Sequence, residues 1–245
     1  MTDPGAPVSS DGGAGVAPAD ANSGLSPADF AAALAIVDGR VAHLHVRAVT
    51  TPLEVRFDRV IDDPAVARRW MAEHGAITVD TYGVVPPGLS AASVLAYLLD
   101  ALASVAAQAA VAGPVLLDLD PACWSLEVDP QWWYPTGVGV QLGRARQEPD
   151  RAVRIAQTEA AYRATAESVA TTFPAPGRMS SRQRVGLAAD LWDTGLAKAL
   201  AADATPPRTP PVVPRRSCCL IYTLPGCHEC AGCPRLRPRT HTPVE

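Results

Sequence analysis

Residues 90–112 read SAASVLAYLLDALASVAAQAAVA and form the one segment long enough to raise the question of a membrane span. Asp100 lies at its middle and alanine supplies much of its apolarity, so a buried helix is favoured over a span. We predict an N-cap at Ser90 and a helix end at Gly113-Pro114. Large apolar residues recur at helical spacing, as expected of a central core helix: Leu95, Leu98, Leu99, Leu102, Val105 and Ala109.

Further helices are predicted on both sides of this segment. Ser26-Pro27 and Asp63-Pro64 each combine an N-cap residue with proline at the first helical position, and glycine follows at a plausible end. The predicted helices run from Pro27 to about Gly39, from Pro64 to about Gly75, from Gln147 to Phe173, and from Ser180 or Ser181 to about Ala201.

The remaining ordered segments favour a small β component. Val115–Leu119 and Trp124–Val128 flank a turn-forming Asp-Pro-Ala, which predicts a β-hairpin. Residues 41–49 fit either a short strand or a continuing helix. Trp132, Trp133 and Tyr134 follow the hairpin, and burial in the core is favoured over an aromatic wall for a ligand. The fold class is therefore predicted as α+β, with a mainly helical body and a small β-hairpin or sheet.

Composition divides the chain into three parts. Residues 1–24 are rich in Gly, Ala, Pro, Ser and Asp and are predicted to be a disordered leader, without the basic start and apolar run of a signal peptide. Residues 25–205 form the predicted helical body. Residues 206–245 combine a stiff proline-rich linker with a cysteine-rich module. This organisation predicts a cytoplasmic protein without stable membrane insertion.

The net charge of −4 argues against a general nucleic-acid binder. Six arginines lie between residues 206 and 245, against two glutamates, so the basic charge is concentrated at the C-terminal end. A basic segment on an acidic protein suggests that it neutralises something anionic.

Five of the six cysteines lie in the segment from Arg215 to Cys233, here called the cysteine module. Disulfides that stabilise a fold tie distant segments together, and the adjacent Cys218 and Cys219 are poorly placed to pair with each other. Clustered cysteines without an export signal indicate metal ligands. Spacing alone leaves zinc and iron–sulfur open, because Cys227 also allows a zinc set with Cys230, Cys233 and one of the adjacent pair.

The module resembles the C-terminal signature of the FhuF-like ferric siderophore reductases. Two adjacent cysteines, ten residues and a Cys-x-x-Cys form the shared pattern, and the flanking Arg216-Ser217, Leu220, Tyr222 and Pro225-Gly226 agree with it. Carried over by position, the resemblance implies that a [2Fe–2S] cluster binds Cys218, Cys219, Cys230 and Cys233. Cys227 departs from the family pattern, because relatives resemble one another in having glycine at this position. The departure leaves open that Cys227 replaces a neighbouring cysteine as a ligand.

The resemblance also implies a function. It predicts one-electron reduction of Fe(III) in an imported siderophore, with release of Fe(II). The chain contains no Gly-x-Gly-x-x-Gly, P-loop or Gly-x-Ser-x-Gly, so electrons are expected from a separate donor protein or reductant. Two alternatives stay open: a non-enzymatic Fe–S redox or iron-sensing partner protein, and a zinc-stabilised scaffold. No catalytic side chain beyond the cluster is predicted.

Several other residues invite a functional interpretation. Arg215, Arg216 and Arg235 would offset the negative charge of the cluster and attract an acidic partner. His43 and His45 are more consistent with surface or satisfied core positions than with metal ligands, and Cys123 with a small buried apolar residue.

Overall fold

The computed structural model describes residues 25–175 and 179–236. The predicted leader over residues 1–24 and the last nine residues lie outside this part of the chain. Six α-helices are present within it: α1 (Pro27–Asp38), α2 (Phe57–Asp62), α3 (Pro64–Tyr82), α4 (Leu89–Ala112), α5 (Arg151–Thr172) and α6 (Ser181–Asp203).

Helix α4 is the centre of the core. Large apolar side chains such as Leu95, Leu98 and Leu99 are fully buried, and 83% of its most apolar window lies inside the protein. Helices α3, α5 and α6 pack around it. Gly195 of α6 lets that helix approach α4 closely, because a side chain there would meet the Ala103 backbone at 3.3 Å. The predicted core helix is therefore confirmed.

Two small sheets complete the body. Their strands are β1 (His45–Val49), β2 (Val55–Arg56), β3 (Val115–Leu117), β4 (Trp124–Val128), β5 (Pro135–Gln141) and β6 (Ala145–Gln147). The first sheet has the order β1-β5-β4-β2, with β1 parallel to β5 and the other pairs antiparallel. The second sheet pairs β3 with β6. The mainly helical α+β class is thus confirmed.

The predicted hairpin is wrong. Its two strands exist, but β3 and β4 belong to different sheets, and a single 3₁₀ turn at Pro121–Cys123 separates them. The hairpin partner of β4 is β5, which approaches closely because Gly139 has no side chain to meet Ser125 and Leu53. Residues 41–49, left open by the sequence, contribute β1.

Helix starts follow the capping signals in most cases. The side chains of Ser26 and Ser180 accept hydrogen bonds from the N–H groups of Asp29 and Gln183, which confirms the predicted starts of α1 and α6. The predicted start of α5 at Gln147 is wrong, because Gln147 ends strand β6 and Asp150 caps the helix.

Two further boundaries on α3 and α4 need correction. Gly75 does not end α3, which continues to Tyr82 and stops at Gly83 in the left-handed region (φ 74°). Ser90 is not an N-cap, since α4 begins one residue earlier at Leu89. The Ser90 hydroxyl instead faces α3 and lies 3.3 Å from Nδ1 of His74. Gly75 leaves room for it, because an added Cβ would stand 3.3 Å from the Ser90 oxygen.

Candidate metal centre

The entry to the cysteine module is held by a buried carboxylate on α6. Asp190 has a fully buried side chain and accepts hydrogen bonds of 2.8 Å from the backbone N–H of Arg216, the backbone N–H of Ser217 and the Ser217 hydroxyl. Charge-assisted hydrogen bonds of this kind are stronger than neutral ones. Asp190 therefore orients the two residues that directly precede Cys218.

Two more residues of α6 shape this junction. The Gln183 side chain donates a 3.1 Å hydrogen bond to the Cys218 carbonyl oxygen. Gly186 faces the module, and a Cβ at that position would stand 3.3 Å from the Cβ of Ser217. The module therefore lies directly against the helix, with little space between them.

The adjacent cysteines are followed by a sharp backbone bend. Leu220 adopts a left-handed conformation with φ 65°, which is uncommon for a residue with a large side chain. Its N–H group lies 3.4 Å from the Cys218 sulfur. Hydrogen bonds from backbone N–H groups to ligand sulfurs also tune iron–sulfur sites.

Two tight turns return the chain towards the first cysteines. The Cys227 N–H donates to the Leu224 carbonyl at 3.1 Å, with proline and then Gly226 (φ 75°) between them, as in a type II turn. The Cys233 N–H donates to the Cys230 carbonyl at 2.8 Å. Gly232 is required there, because a Cβ would stand 2.4 Å from the Val213 carbonyl oxygen.

The predicted ligands are brought together in part. Cys218 and Cys233 lie close enough for their side chains to interact, Cys233 is buried, and burial raises the pKa of the Cys218 thiol. Metal binding would offset the cost of forming that thiolate. Within residues 25–175 and 179–236, no three His, Cys, Asp or Glu side chains converge on one point. Convergence of that kind is expected of a single metal ion, whereas a two-iron cluster shares its four thiolates between two metals.

Cys227 faces a different neighbour. The thiol lies beside Tyr82 at the end of α3, and this neighbour raises the pKa of the tyrosine hydroxyl. This contact directs Cys227 towards α3, whereas Cys218 is directed towards Cys233. The assignment of the ligands to Cys218, Cys219, Cys230 and Cys233 stays a prediction.

The arginines of this region have distinct partners. Arg215 lies 3.9 Å from the Cys230 sulfur and is the one nearest to a predicted ligand. Arg216 donates to Asp193 at 2.7 Å, and Asp193 together with Asp190 raises the pKa of the guanidinium. Arg235 stacks over the Tyr222 ring at 4.2 Å. Arg215 is therefore the best placed to offset negative charge on the sulfurs.

A cavity of about 260 Å³ adjoins the module. Ile221 and Leu224, from the segment between the two cysteine pairs, form part of its wall, opposite residues of α3 and α4. Trp132 and Tyr134 also line it and are 46% and 42% exposed. The prediction that these aromatics are buried in the core is therefore wrong for Trp132 and Tyr134, although Trp133 packs against the core.

The candidate residues elsewhere in the body are explained by local contacts. His43 pairs with Asp100 at 2.9 Å, and His45 lies 3.7 Å from Asp38, both at the surface. Cys123 is buried as predicted, and it also accepts a 2.8 Å hydrogen bond from Nε of Arg144.

Sequence reasoning missed Asp190 and Gln183. Asp190 lies among the buried positions of α6, between Leu187 and Trp192. A carboxylate on the apolar face of a predicted helix is rarely buried without partners, and that pattern was the available signal. Gln183 gave no such signal, because polar residues near a helix start are common.

Residues 215–235 match the family model described as the FhuF 2Fe-2S C-terminal domain. The matched range contains all five clustered cysteines and agrees with the resemblance noted from the sequence. A comparison of the whole chain with curated proteins finds no match. The C-terminal segment of the chain is therefore a FhuF-type [2Fe–2S]-binding domain. The donor set fits this cofactor, since the matched segment supplies the four thiols that a [2Fe–2S] cluster needs, close to Arg215 and the Leu220 N–H.

Proposed function

We propose that this protein is a ferric-siderophore reductase of the cytoplasm, which reduces chelated Fe(III) to Fe(II) by one electron. The observation that carries the proposal is the cavity whose wall includes Ile221 and Leu224 of the module. A chelate bound at this cavity would lie next to the segment that joins the two cysteine pairs.

The proposed ligands of the cluster are Cys218, Cys219, Cys230 and Cys233. When bound, the cluster supplies one-electron redox chemistry. Asp190 holds the backbone in front of Cys218, and Gln183 holds the Cys218 carbonyl. Arg215 places a positive charge 3.9 Å from the Cys230 sulfur, which favours a more negative state of the site.

The reaction balances with one external reductant. A separate one-electron donor is oxidised, the chelated Fe(III) is reduced to Fe(II), and no bond to carbon is made or broken. Because Fe(II) is held more weakly than Fe(III) by hard oxygen chelators, the product is released from the siderophore. The chain needs no general acid or base for this step, so its contribution is to bind the chelate and orient the module.

The test is an anaerobic single-turnover experiment on the full chain. The protein is reduced, excess reductant is removed, and a ferric hydroxamate chelate is added. We expect the visible absorption of the oxidised cluster to return while a ferrous-specific chromophore detects one equivalent of Fe(II) per cluster. A protein that stays reduced in the presence of the chelate would reject the reductase proposal and favour a non-enzymatic redox or iron-sensing role.

Metal analysis on anaerobically purified protein accompanies this test. We expect two irons and two sulfides per chain and an EPR signal after reduction. Zinc at one equivalent, without visible absorption, would favour the scaffold alternative and overturn the assignment of the cofactor.

A further inference from the structure

We infer that the cavity beside the module is a subsite for a neutral aromatic ring carried by the chelator. The inference rests on the proposed function and adds a chemical preference to it. Four aromatic rings of the protein line the cavity, and they come from three separate segments of the body: Tyr82, Tyr97, Trp132 and Tyr134.

Two of these rings, Trp132 and Tyr134, lie on the loop at residues 129–134, whose backbone directs them away from the core. Trp133 has a left-handed backbone (φ 54°), an unfavourable conformation for a bulky residue. The Trp70 indole N–H donates to the Trp133 carbonyl at 2.8 Å and fixes this bend from inside. As a result Trp133 packs against the core, while Trp132 and Tyr134 on either side project into the cavity.

The start of this loop is fixed as well. One carboxylate oxygen of Asp129 accepts hydrogen bonds from the N–H groups of Gln131 and Trp132, at 2.8 and 2.7 Å. The Asp129 backbone N–H also donates to the Tyr134 carbonyl at 2.9 Å. A strained loop held by this many bonds, with two large side chains left exposed, indicates that the exposed rings have a ligand.

The cavity has no fixed charge. Among the described residues that line it, none is Asp, Glu, Lys or Arg. His74 is half-buried, and this burial lowers its pKa, so the imidazole is neutral near pH 7. Burial also raises the pKa of Tyr97, which keeps its hydroxyl protonated. A ring without net charge is thus the group that this wall accommodates, through offset or edge-to-face packing.

Size limits the occupant to a part of the chelate. A volume of about 260 Å³ is below the range of pockets that enclose a drug-sized ligand, and a ring with its short linker fills it. The iron of such a chelate then stays outside the cavity, whose wall includes Ile221 and Leu224 of the module. Binding by one arm therefore places the metal beside the module and leaves the rest of the chelate in solvent.

The experiment compares two chelators that differ in one ring. Both are linear tris-hydroxamates of equal charge, one ending in a benzamide and the other in an acetamide, loaded with redox-inert gallium(III). Titration calorimetry with the oxidised, cluster-loaded full chain measures both dissociation constants. We expect the benzamide complex to bind about tenfold more tightly, the effect of one well-packed ring.

Variants of Trp132 locate the effect. Trp132→Ala should bring the two complexes to within about twofold of each other, whereas Trp132→Phe, which keeps a ring, should retain most of the preference. Equal affinity of both complexes for the unmodified protein would overturn the inference. A preference that survives Trp132→Ala unchanged would also overturn it, because the ring would then bind elsewhere.

Reduction of the ferric acetamide complex is measured in parallel. Reduction without any preference for the ring would reject the aromatic subsite and leave the proposed function standing. A ring preference that Trp132→Ala removes, without reduction of either ferric complex, would support the subsite and reject the reductase activity.

Discussion

The body and the cysteine module are stabilised by different means. In the body, α4 is surrounded by other helices, and its apolar side chains are almost completely removed from water. In the module, Ser217, Leu224 and Cys233 are the buried residues, and its regular structure is one 3₁₀ turn at Ile221–Thr223. The body thus has a hydrophobic core, whereas the module is anchored to α6 by polar contacts and packs Leu220 against that core, and we expect its metal to add stability.

The comparison explains why the junction between the two regions is polar. A segment of about twenty residues cannot bury enough apolar surface to fold by itself. Asp190 compensates with three short hydrogen bonds at the start of the module, and the metal is expected to hold its other end. We therefore expect loss of the cluster to unfold the module and to leave the body folded.

The largest expected effect on the cluster comes from its ligands. Cys230→Ser should lose most of the iron and sulfide, because a hydroxyl is a poor replacement for a thiolate. Cys227→Gly is the matched control and should keep them, since Cys227 faces Tyr82. Iron and sulfide analysis with visible spectroscopy measures both variants. Equal losses from the two changes would show that Cys227 is a ligand.

An intermediate effect is expected at the junction. Asp190→Ala leaves three donors of Arg216 and Ser217 without their acceptor, at a cost of about 3–5 kcal/mol to the docked module. Asp193→Ala removes an exposed pair with Arg216 and should cost less than about 1 kcal/mol. Hydrogen exchange at residues 215–233 and the rate of iron loss to a chelator report both effects. Similar rates in the two variants would contradict the role assigned to Asp190.

The smallest effect on the cluster is expected from the body. Leu99 is fully buried in α4, so Leu99→Ala leaves a cavity in the core and should lower the free energy of unfolding by about 2–5 kcal/mol. Leu200→Ala, at a position that is 42% exposed, should change it by less than about 1 kcal/mol. Denaturant unfolding followed by circular dichroism measures these values. Under native conditions both variants should keep the cluster spectrum, and its loss in Leu99→Ala would show that the two regions are not independent.

Local signals in the sequence predicted much of the helical structure. Ser26 and Ser180 mark helix starts because their side chains bond to N–H groups three residues away. The core helix is visible in the spacing of its leucines. The return of the chain at Pro225-Gly226 is equally local, since a glycine with positive φ follows a proline in one turn.

Errors arose where distant residues compete with a local signal. Gly75 resembles a helix end, but α3 continues past it because the helix packs on α4. At this contact Gly75 has no side chain, which leaves room for Ser90 of α4. The strands around residues 115–128 were recognised, yet their partners lie at residues 135–147, so that adjacency along the chain gave the wrong pairing. The prediction that Trp132 and Tyr134 lie in the core follows from the small number of aromatic residues in the chain, which does not reveal the bend at Trp133.

The sequence by itself determined the helical body, the cysteine spacing and the family resemblance, because capping, periodicity and motif spacing act over a few residues. Only the tertiary structure decided the strand partners, the anchoring of the module by Asp190 and the aromatic cavity beside it. Asp190 and Ser217 are separated by 27 positions, and Trp132 is farther still from Ile221. Such contacts depend on how the whole chain buries its apolar surface, which no local pattern specifies.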